Sequence, residues 1–183
     1  MLAPADVERA TGVPVIASVP RAGTRGGLPV VKRPFSPAAE GYRRVAGALE
    51  RRGLGDGIRL VAIASADPHE GKSKLCLNLA HSLALQGRDV LLVSADLRRP
   101  KLDELLGLEG APGLAEWLEA GGLAELPVHT VSEHLLVLPA GSIDRNPGEL
   151  FTTRRVRQGL QPVADTGYVV LIDTPPTLCP LRP

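Results

Sequence analysis

The 183-residue chain carries two cysteines, Cys76 and Cys179, too few and too far apart for a disulfide framework or a thiolate metal site. That scarcity suits a reducing, cytoplasmic compartment. Cys76 reads as a small core residue of its helix rather than a reactive thiol. An excess of one charge is also missing: 21 lysines and arginines against 20 acids leave a formal net charge of +1 at pH 7. Such a balance supplies no field that would draw the chain to nucleic acid or to an anionic membrane, so no nucleic-acid partner is expected. No apolar run approaches the roughly 20 residues needed to span a bilayer. The opening Met1-Leu2-Ala3-Pro4-Ala5-Asp6-Val7-Glu8-Arg9 lacks a basic stretch followed by an apolar core, so it does not read as a signal peptide. Membrane attachment is therefore expected to come through a partner.

What is present is a 44% hydrophobic, 22% charged composition, ordinary for a soluble globular protein, and a length that suggests one domain with a short appendage. Residues 1–35 are expected to be that appendage. They read as a short helix from Pro4 to Thr11 stopped by Gly12, an apolar strand from Val13 to Val19, and a linker from Pro20 to Pro34 without periodicity. The linker's Arg21, Arg25, Lys32 and Arg33 read as a solvated arm, with contact to anionic lipid or a partner as the weaker alternative. Residues 36–183 are expected to be the main domain. Ser36-Pro37 looks like an N-cap followed by proline at the first helical position, opening a helix to about Arg52. Short aliphatic strands are expected at Ile58–Ser65, Val90–Val93, Leu135–Leu138 and Tyr168–Ile172. Helices are expected from Ser73 until Gly87 breaks the chain, from Leu114 to Ala120 around Trp117, and from Pro147 to about Leu160. This alternation predicts an α/β fold with a doubly wound, mostly parallel sheet covered on both faces.

Between the first of those strands and its helix lies Ala66-Asp67-Pro68-His69-Glu70-Gly71-Lys72-Ser73, which fits G-x-x-x-x-G-K-[ST] with alanine in the first glycine position. The strand before and the apolar stripe of Leu75, Leu79 and Leu83 after favour a phosphate-binding loop over a chance Gly-Lys-Ser turn. Backbone N–H groups at the helix N-terminus can cradle phosphates, Lys72 adds a charge, and the Ser73 hydroxyl can ligate Mg²⁺. The last strand ends in Asp173 and the second runs on through Ser94-Ala95 to Asp96. An acid ending an aliphatic strand at the ligand-binding edge can hold Mg²⁺ through its water shell, which gives the metal role to Asp173 and makes Asp96 a second candidate. The competing reading of either acid is a helix cap or turn residue.

Several segments in fixed order resemble the bacterial tyrosine kinases, the cytoplasmic ATPase domains of capsular and exopolysaccharide chain-length regulators. They are Ser65 to Ser73, Leu92-Val93-Ser94-Ala95-Asp96-Leu97-Arg98-Arg99-Pro100, Leu138-Pro139-Ala140-Gly141 with Asn146-Pro147-Gly148-Glu149-Leu150, and Ile172-Asp173-Thr174-Pro175-Pro176. The likeness runs from about residue 5 to residue 176. It implies a P-loop NTPase fold, shortened here at the C-terminus. It also implies that ATP and Mg²⁺ bind, that the γ-phosphoryl group passes to tyrosine, and that the domains assemble as homo-oligomeric rings on a membrane-embedded polysaccharide co-polymerase or activator. By position, residues Ala66 to Lys74 would line the nucleotide. Lys72 would contact phosphate, Ser73 and Asp173 would serve Mg²⁺, and Asp96 would belong to a second acidic motif whose basic end is Arg98-Arg99.

Five departures stand out. The second motif is usually Asp-x-Asp, and here Ser94 takes the first place, without a charge to position a metal or accept a proton. His69 replaces a usual glycine, and Lys74 replaces a usual threonine. Ala46 stands where the assembly pattern begun by Glu40 and Arg43 would place a second arginine, which weakens the expectation of rings. The chain stops seven residues after Pro176, with no tyrosine-rich tail. Its only tyrosines are Tyr168, expected in the core, and Tyr42, expected to be structural, with a phosphorylation target as the weaker alternative. Two further readings follow. One is a catalytically impaired nucleotide-binding regulator of polysaccharide assembly. The other is a partitioning-type P-loop ATPase, disfavoured because the loop lacks that family's extra lysine.

Overall fold

Unbroken aliphatic runs become strands here because both faces of the sheet are covered. A computed structural model describes residues 3–20, 28–122, 125–142 and 153–177. The strands are β1 (Leu60–Ile63), β2 (Val90–Ser94), β3 (His129–Ser132), β4 (Leu135–Leu138) and β5 (Val169–Asp173). They form one sheet in the order β1-β5-β2-β4-β3. Neighbours from β1 to β4 run parallel, and β3 closes one edge antiparallel to β4. Along β2 and β5 the side chains alternate between two cores. Val90, Leu92, Val169 and Leu171 face one, and Leu91, Val93, Val170 and Ile172 face the other. A strand serving two cores is aliphatic along its length, and the polar residues of β2 and β5, Ser94 and Asp173, come only at their last paired positions.

Helices α1 (Pro4–Thr11), α2 (Pro29–Lys32), α3 (Pro37–Glu50), α4 (Lys72–Ala84), α5 (Lys101–Leu106), α6 (Leu114–Glu119) and α7 (Thr153–Asp165) complete the described elements. The first core takes Val45 and Ala46 of α3, Cys76 to Leu83 of α4 and Leu102 of α5. The second takes Leu114, Trp117 and Leu118 of α6 with Leu160 and Ala164 of α7. Ser36 caps α3 as expected, its Oγ accepting the Ala39 N–H at 3.2 Å, with Pro37 at the first helical position. The mostly parallel, doubly wound architecture expected from the sequence is the one found.

Four local expectations are corrected. Residues 13–19 do not form a strand. Among the described residues they pair with no ladder; the chain is extended instead, its alternate residues Val15, Ala17 and Val19 half-buried, with Ala17 and Val19 against the first core. Pro14 and Pro20 remove donors that a ladder would need. The linker expected to lack structure holds α2, whose Val30 is buried and donates its N–H to Asn78 Oδ1 of α4. The helix expected to end near Leu160 continues to Asp165. Helix α5 and strand β3 were not expected at all. The Asn146-Pro147-Gly148-Glu149-Leu150 segment, Arg21, Arg25, Cys179 and the final Leu181-Arg182-Pro183 lie outside the described residues.

Candidate active site

Strand order builds the site. Because β5 lies between β1 and β2, Asp173 at its end sits between the loop that leaves β1 and the segment that leaves β2. The Thr174 hydroxyl donates to Ile63 O at 2.9 Å, and the Thr177 N–H donates to Ser65 O at 2.9 Å, tying the chain after Asp173 to the entry of the loop. Ala95 N–H donates to Asp173 O and ties the end of β2 to the end of β5.

The loop itself turns through left-handed backbone at two residues. Gly71 has φ 92° and forms the N-cap of α4. A Cβ built there meets nothing within 4 Å, so the mouth of the loop is open. His69 has φ 69°, and it is the one non-glycine residue with positive φ among those described. Glu70 folds back over the start of the loop, its Oε2 accepting the N–H groups of Ala66 at 3.0 Å and Asp67 at 3.2 Å. The Ser65 hydroxyl donates to Asp67 O. Ser73 is buried in the first turn of α4, whereas Lys74 is exposed.

Lys72 Nζ donates to Asp173 Oδ1 at 2.8 Å and stands 3.9 Å from Asp96 Oδ2. The three side chains are 9%, 1% and 10% exposed. The cation and both acids singled out from the sequence therefore meet in one buried cluster. Asp96 Oδ1 also accepts the Arg99 N–H at 3.2 Å, the contact of a turn residue. Burial pushes the Asp96 carboxyl above the usual carboxylate range, and Lys72 and the Arg99 N–H pull it back in part. Arg98 and Arg99 are exposed.

The other residues weighed in the sequence fall away from this chemistry. Cys76 is fully buried, and burial with nearby Asp173 pushes its thiol well up despite Lys72, which leaves it inert. Tyr42 is buried against Val30 and Ala39, and burial raises its phenol; Tyr168 packs against the second core. Glu40 and Arg43 pair with each other on α3, and Arg43 also donates to Pro34 O at 2.7 Å.

Sequence reasoning missed Asp103. It lies on α5, 2% exposed, and its Oδ2 accepts the Ala140 N–H at 2.9 Å. Between Leu102 and Glu104 it looks like any polar helix residue, and only the fold turns it inward.

The donor set fits a nucleotide with a magnesium ion. No cluster of three or more His, Cys, Asp and Glu side chains forms an all-protein metal cage among the described residues. Magnesium does not need one, because it keeps waters and takes one or two carboxylates together with phosphate oxygens. Asp173 Oδ2 is buried without a hydrogen-bond partner among the described residues, so a charged oxygen stands ready for such an ion.

No family model matches the chain. It is 33% identical over 189 residues to the putative tyrosine-protein kinase EpsB of Ralstonia solanacearum, covering 96% of this chain and 25% of that protein. It is 36% identical over 146 residues to the tyrosine-protein kinase YwqD of Bacillus subtilis, covering 79% of this chain and 62% of that one. The chain thus spans a quarter of one of these relatives and less than two thirds of the other. Among solved structures, the BceF tyrosine kinase domain superposes with a TM-score of 0.84 at 32% identity, over 97% of this chain and 77% of that domain. With the loop, the paired acids and the sheet order already in place, these matches settle the ancestry: the chain belongs to the bacterial tyrosine-kinase family.

Proposed function

We propose that this chain binds ATP with Mg²⁺ at residues 66–74 and passes the γ-phosphoryl group to tyrosine, as a cytoplasmic kinase unit of capsular or exopolysaccharide assembly. The observation that carries this reading is the 2.8 Å contact between Lys72 and Asp173, which joins segments 101 residues apart. It stores, side by side, a cation that can move to a phosphate and an acid that can take up a metal. Bound Mg²⁺ would supply charge neutralisation on the phosphates. Ser73 and Asp173 would hold it, with Asp96 as the second acid. The N–H groups opening α4, together with Lys72, would orient the triphosphate. The phenolic oxygen of the acceptor then bonds to the γ-phosphorus as the bond from that phosphorus to the β–γ bridging oxygen breaks. ADP departs, and the phenolic proton passes to solvent water.

The packing of Tyr42 and Tyr168 makes both poor acceptors, so the substrate tyrosine is expected on another polypeptide segment. The relatives are longer than this chain, and a membrane-embedded co-polymerase or activator is the expected partner. Homo-oligomers are also expected from the family, although Ala46 and the internal Glu40–Arg43 pair leave this chain less of the surface for them.

A second reading, a nucleotide-binding regulator with impaired transfer, is favoured by Ser94 and by the strained backbone at His69. ATP affinity with and without Mg²⁺, and phosphate incorporation into tyrosine in the presence of the activator, decide between the two. The kinase reading expects saturable, Mg²⁺-dependent binding followed by transfer. Lys72→Ala should weaken the binding roughly 10- to 100-fold, the equivalent of one charge-assisted hydrogen bond. Binding without transfer selects the regulator. A wild type that ignores ATP, or a Lys72→Ala variant that retains it unchanged, removes both readings.

A further inference from the structure

Phe35 is 97% exposed, more than any other large apolar side chain among the described residues. A phenyl ring is ordinarily an interior group, and one left wholly in water marks a contact still to be made. It does not hang on slack chain. The Ser36 N–H donates to Arg33 O at 2.9 Å, and Arg43 Nη2 donates to Pro34 O at 2.7 Å, so the turn that carries the ring is fastened from both sides. Just before it, α2 is pinned from within, since Val30 is buried and its N–H donates to Asn78 Oδ1. The rest of that short helix faces water: Val31 is 52% exposed, and Lys32 and Arg33 are exposed with it.

Val13, Ile16, Val31 and Phe35 are four of the seven large apolar residues exposed on the described surface, and all fall between residues 13 and 35. The two segments that carry them are neighbours. Val19 packs with Val30 against Ala39 and Tyr42, and a Cβ at Gly41 would stand 3.0 Å from Pro20 Cδ. Charge follows the same boundaries. From Arg9 to Ala39 the sequence holds Arg9, Arg21, Arg25, Lys32 and Arg33 and no acid, although the whole chain is balanced at +1. Glu40, the next acid, is taken up by Arg43 at 2.9 Å. Lys32 and Arg33 form no ion pair among the described residues.

We infer that Val31, Lys32, Arg33 and Phe35 form a docking point for an anionic lipid surface, with the ring entering the headgroup boundary and the two cations meeting phosphate. A projecting apolar group among cations, with no acid nearby, is the pairing that such a surface takes. A protein partner fits less well. Lysine is depleted from protein interfaces, and a ring that projects this far needs a matching pocket there, whereas the lipid boundary yields to it. Two cations and one ring make a weak, reversible contact, which orients the chain on the bilayer and does not hold it there. None of the four residues belongs to the Lys72, Asp96 and Asp173 cluster, so this inference stands or falls apart from the nucleotide reading.

Flotation of the whole chain tests it, with vesicles of phosphatidylglycerol and phosphatidylcholine in equal parts set against vesicles of phosphatidylcholine alone. The wild type should float with the anionic vesicles at about 0.1 M salt and come off at about 1 M, where the screening length falls to about 3 Å. Lys32→Gln combined with Arg33→Gln should weaken that binding about 25-fold, about fivefold for each cation. Phe35→Ala should weaken it roughly 10- to 100-fold and leave the urea midpoint unchanged, since so exposed a ring adds little to the fold. Phe35→Trp should keep the binding, and its emission should shift to the blue on adding anionic vesicles, over a constant signal from the buried Trp117. A wild type that does not float with anionic vesicles would overturn the inference, as would binding that ignores Phe35→Ala. Equal retention on a polyglutamate resin, insensitive to Phe35→Ala, would make the cations a contact for any polyanion and overturn it too. Self-association in the ultracentrifuge that Phe35→Ala abolishes, without flotation, would give this face to a second copy of the chain instead.

Discussion

His69 holds a left-handed backbone, φ 69°, immediately before the residue that folds over the start of the loop and two before the helix cap. For an L-residue this region costs about 1–2 kcal/mol, and histidine tolerates it better than a β-branched side chain does. Glycine would remove that strain but adds about 0.5–1 kcal/mol of chain entropy to be lost on folding. The two terms nearly cancel, so His69→Gly is expected to leave the urea midpoint within error of wild type or slightly above it. His69→Val should lower stability by about 1–2 kcal/mol, read as a lower urea midpoint, and should slacken the loop. Equal midpoints for the glycine and valine variants would show that the loop relaxes out of this conformation. The residue scale was also where the sequence spoke most clearly. Lys72 at the opening of a helix and Asp96 and Asp173 at strand ends carry recognisable chemistry, and the fold brings them together. Asp103 does not, because a carboxylate in Lys101-Leu102-Asp103-Glu104 has no local sign of burial until α5 is seen lying against β2.

At the scale of elements, α6 and α7 meet over the second face of the sheet through an indole and a glycine. Trp117 of α6 is 4% exposed. A Cβ at Gly159 of α7 would come within 1.7 Å of its Cη2 atom. Alanine is better than glycine in a helix by about 1 kcal/mol. Here the ring cannot yield without moving α6, so the overpacking cost of about 1–3 kcal/mol should prevail. Gly159→Ala is expected to lower the urea midpoint, and Trp117→Phe in the same chain should return part of the loss. A Gly159→Ala protein more stable than wild type would mean that the two helices do not pack this way. This contact explains a limit of sequence reading. The strands β2, β4 and β5 were legible because an aliphatic run of four or five residues has few alternatives. The end of α7 was not, since its length is set by what it covers. Residues 13–19 mislead for the same reason: alternating burial in an extended chain looks like a strand even where no ladder receives it.

For the molecule as a whole, the end of the sheet opposite the site carries a pH lever. His134 precedes β4 and Asp89 precedes β2, with Nδ1 and Oδ1 2.9 Å apart. Their carbonyls accept the first N–H groups of adjoining strands, Val90 to His134 and Val169 to Asp89. The hydrogen bond to Asp89 raises the His134 imidazole above its ordinary value, and the charges of Asp89 and Glu133 add to that. A raised histidine contributes stability that is fully present below its ordinary value near 6.5 and is lost as pH climbs through the raised value. The contribution of this pair should therefore fall between about pH 6 and pH 8. It is opposed by His81, whose imidazole is pushed down by burial and which adds stability as pH rises, so it is read as the difference between wild type and His134→Gln. The change should be small, because the pair is exposed, and it should fade in high salt. His134→Gln should remove this part of the slope. Mg²⁺-dependent ATP affinity offers the contrast. Under the proposed function it would depend on groups at the carboxyl ends of the strands, away from this pair, and His134→Gln should leave its pH profile unchanged. If the variant altered both profiles together, the two ends of the sheet would be coupled, and stability and ligand binding could no longer be assigned to separate ends of the fold.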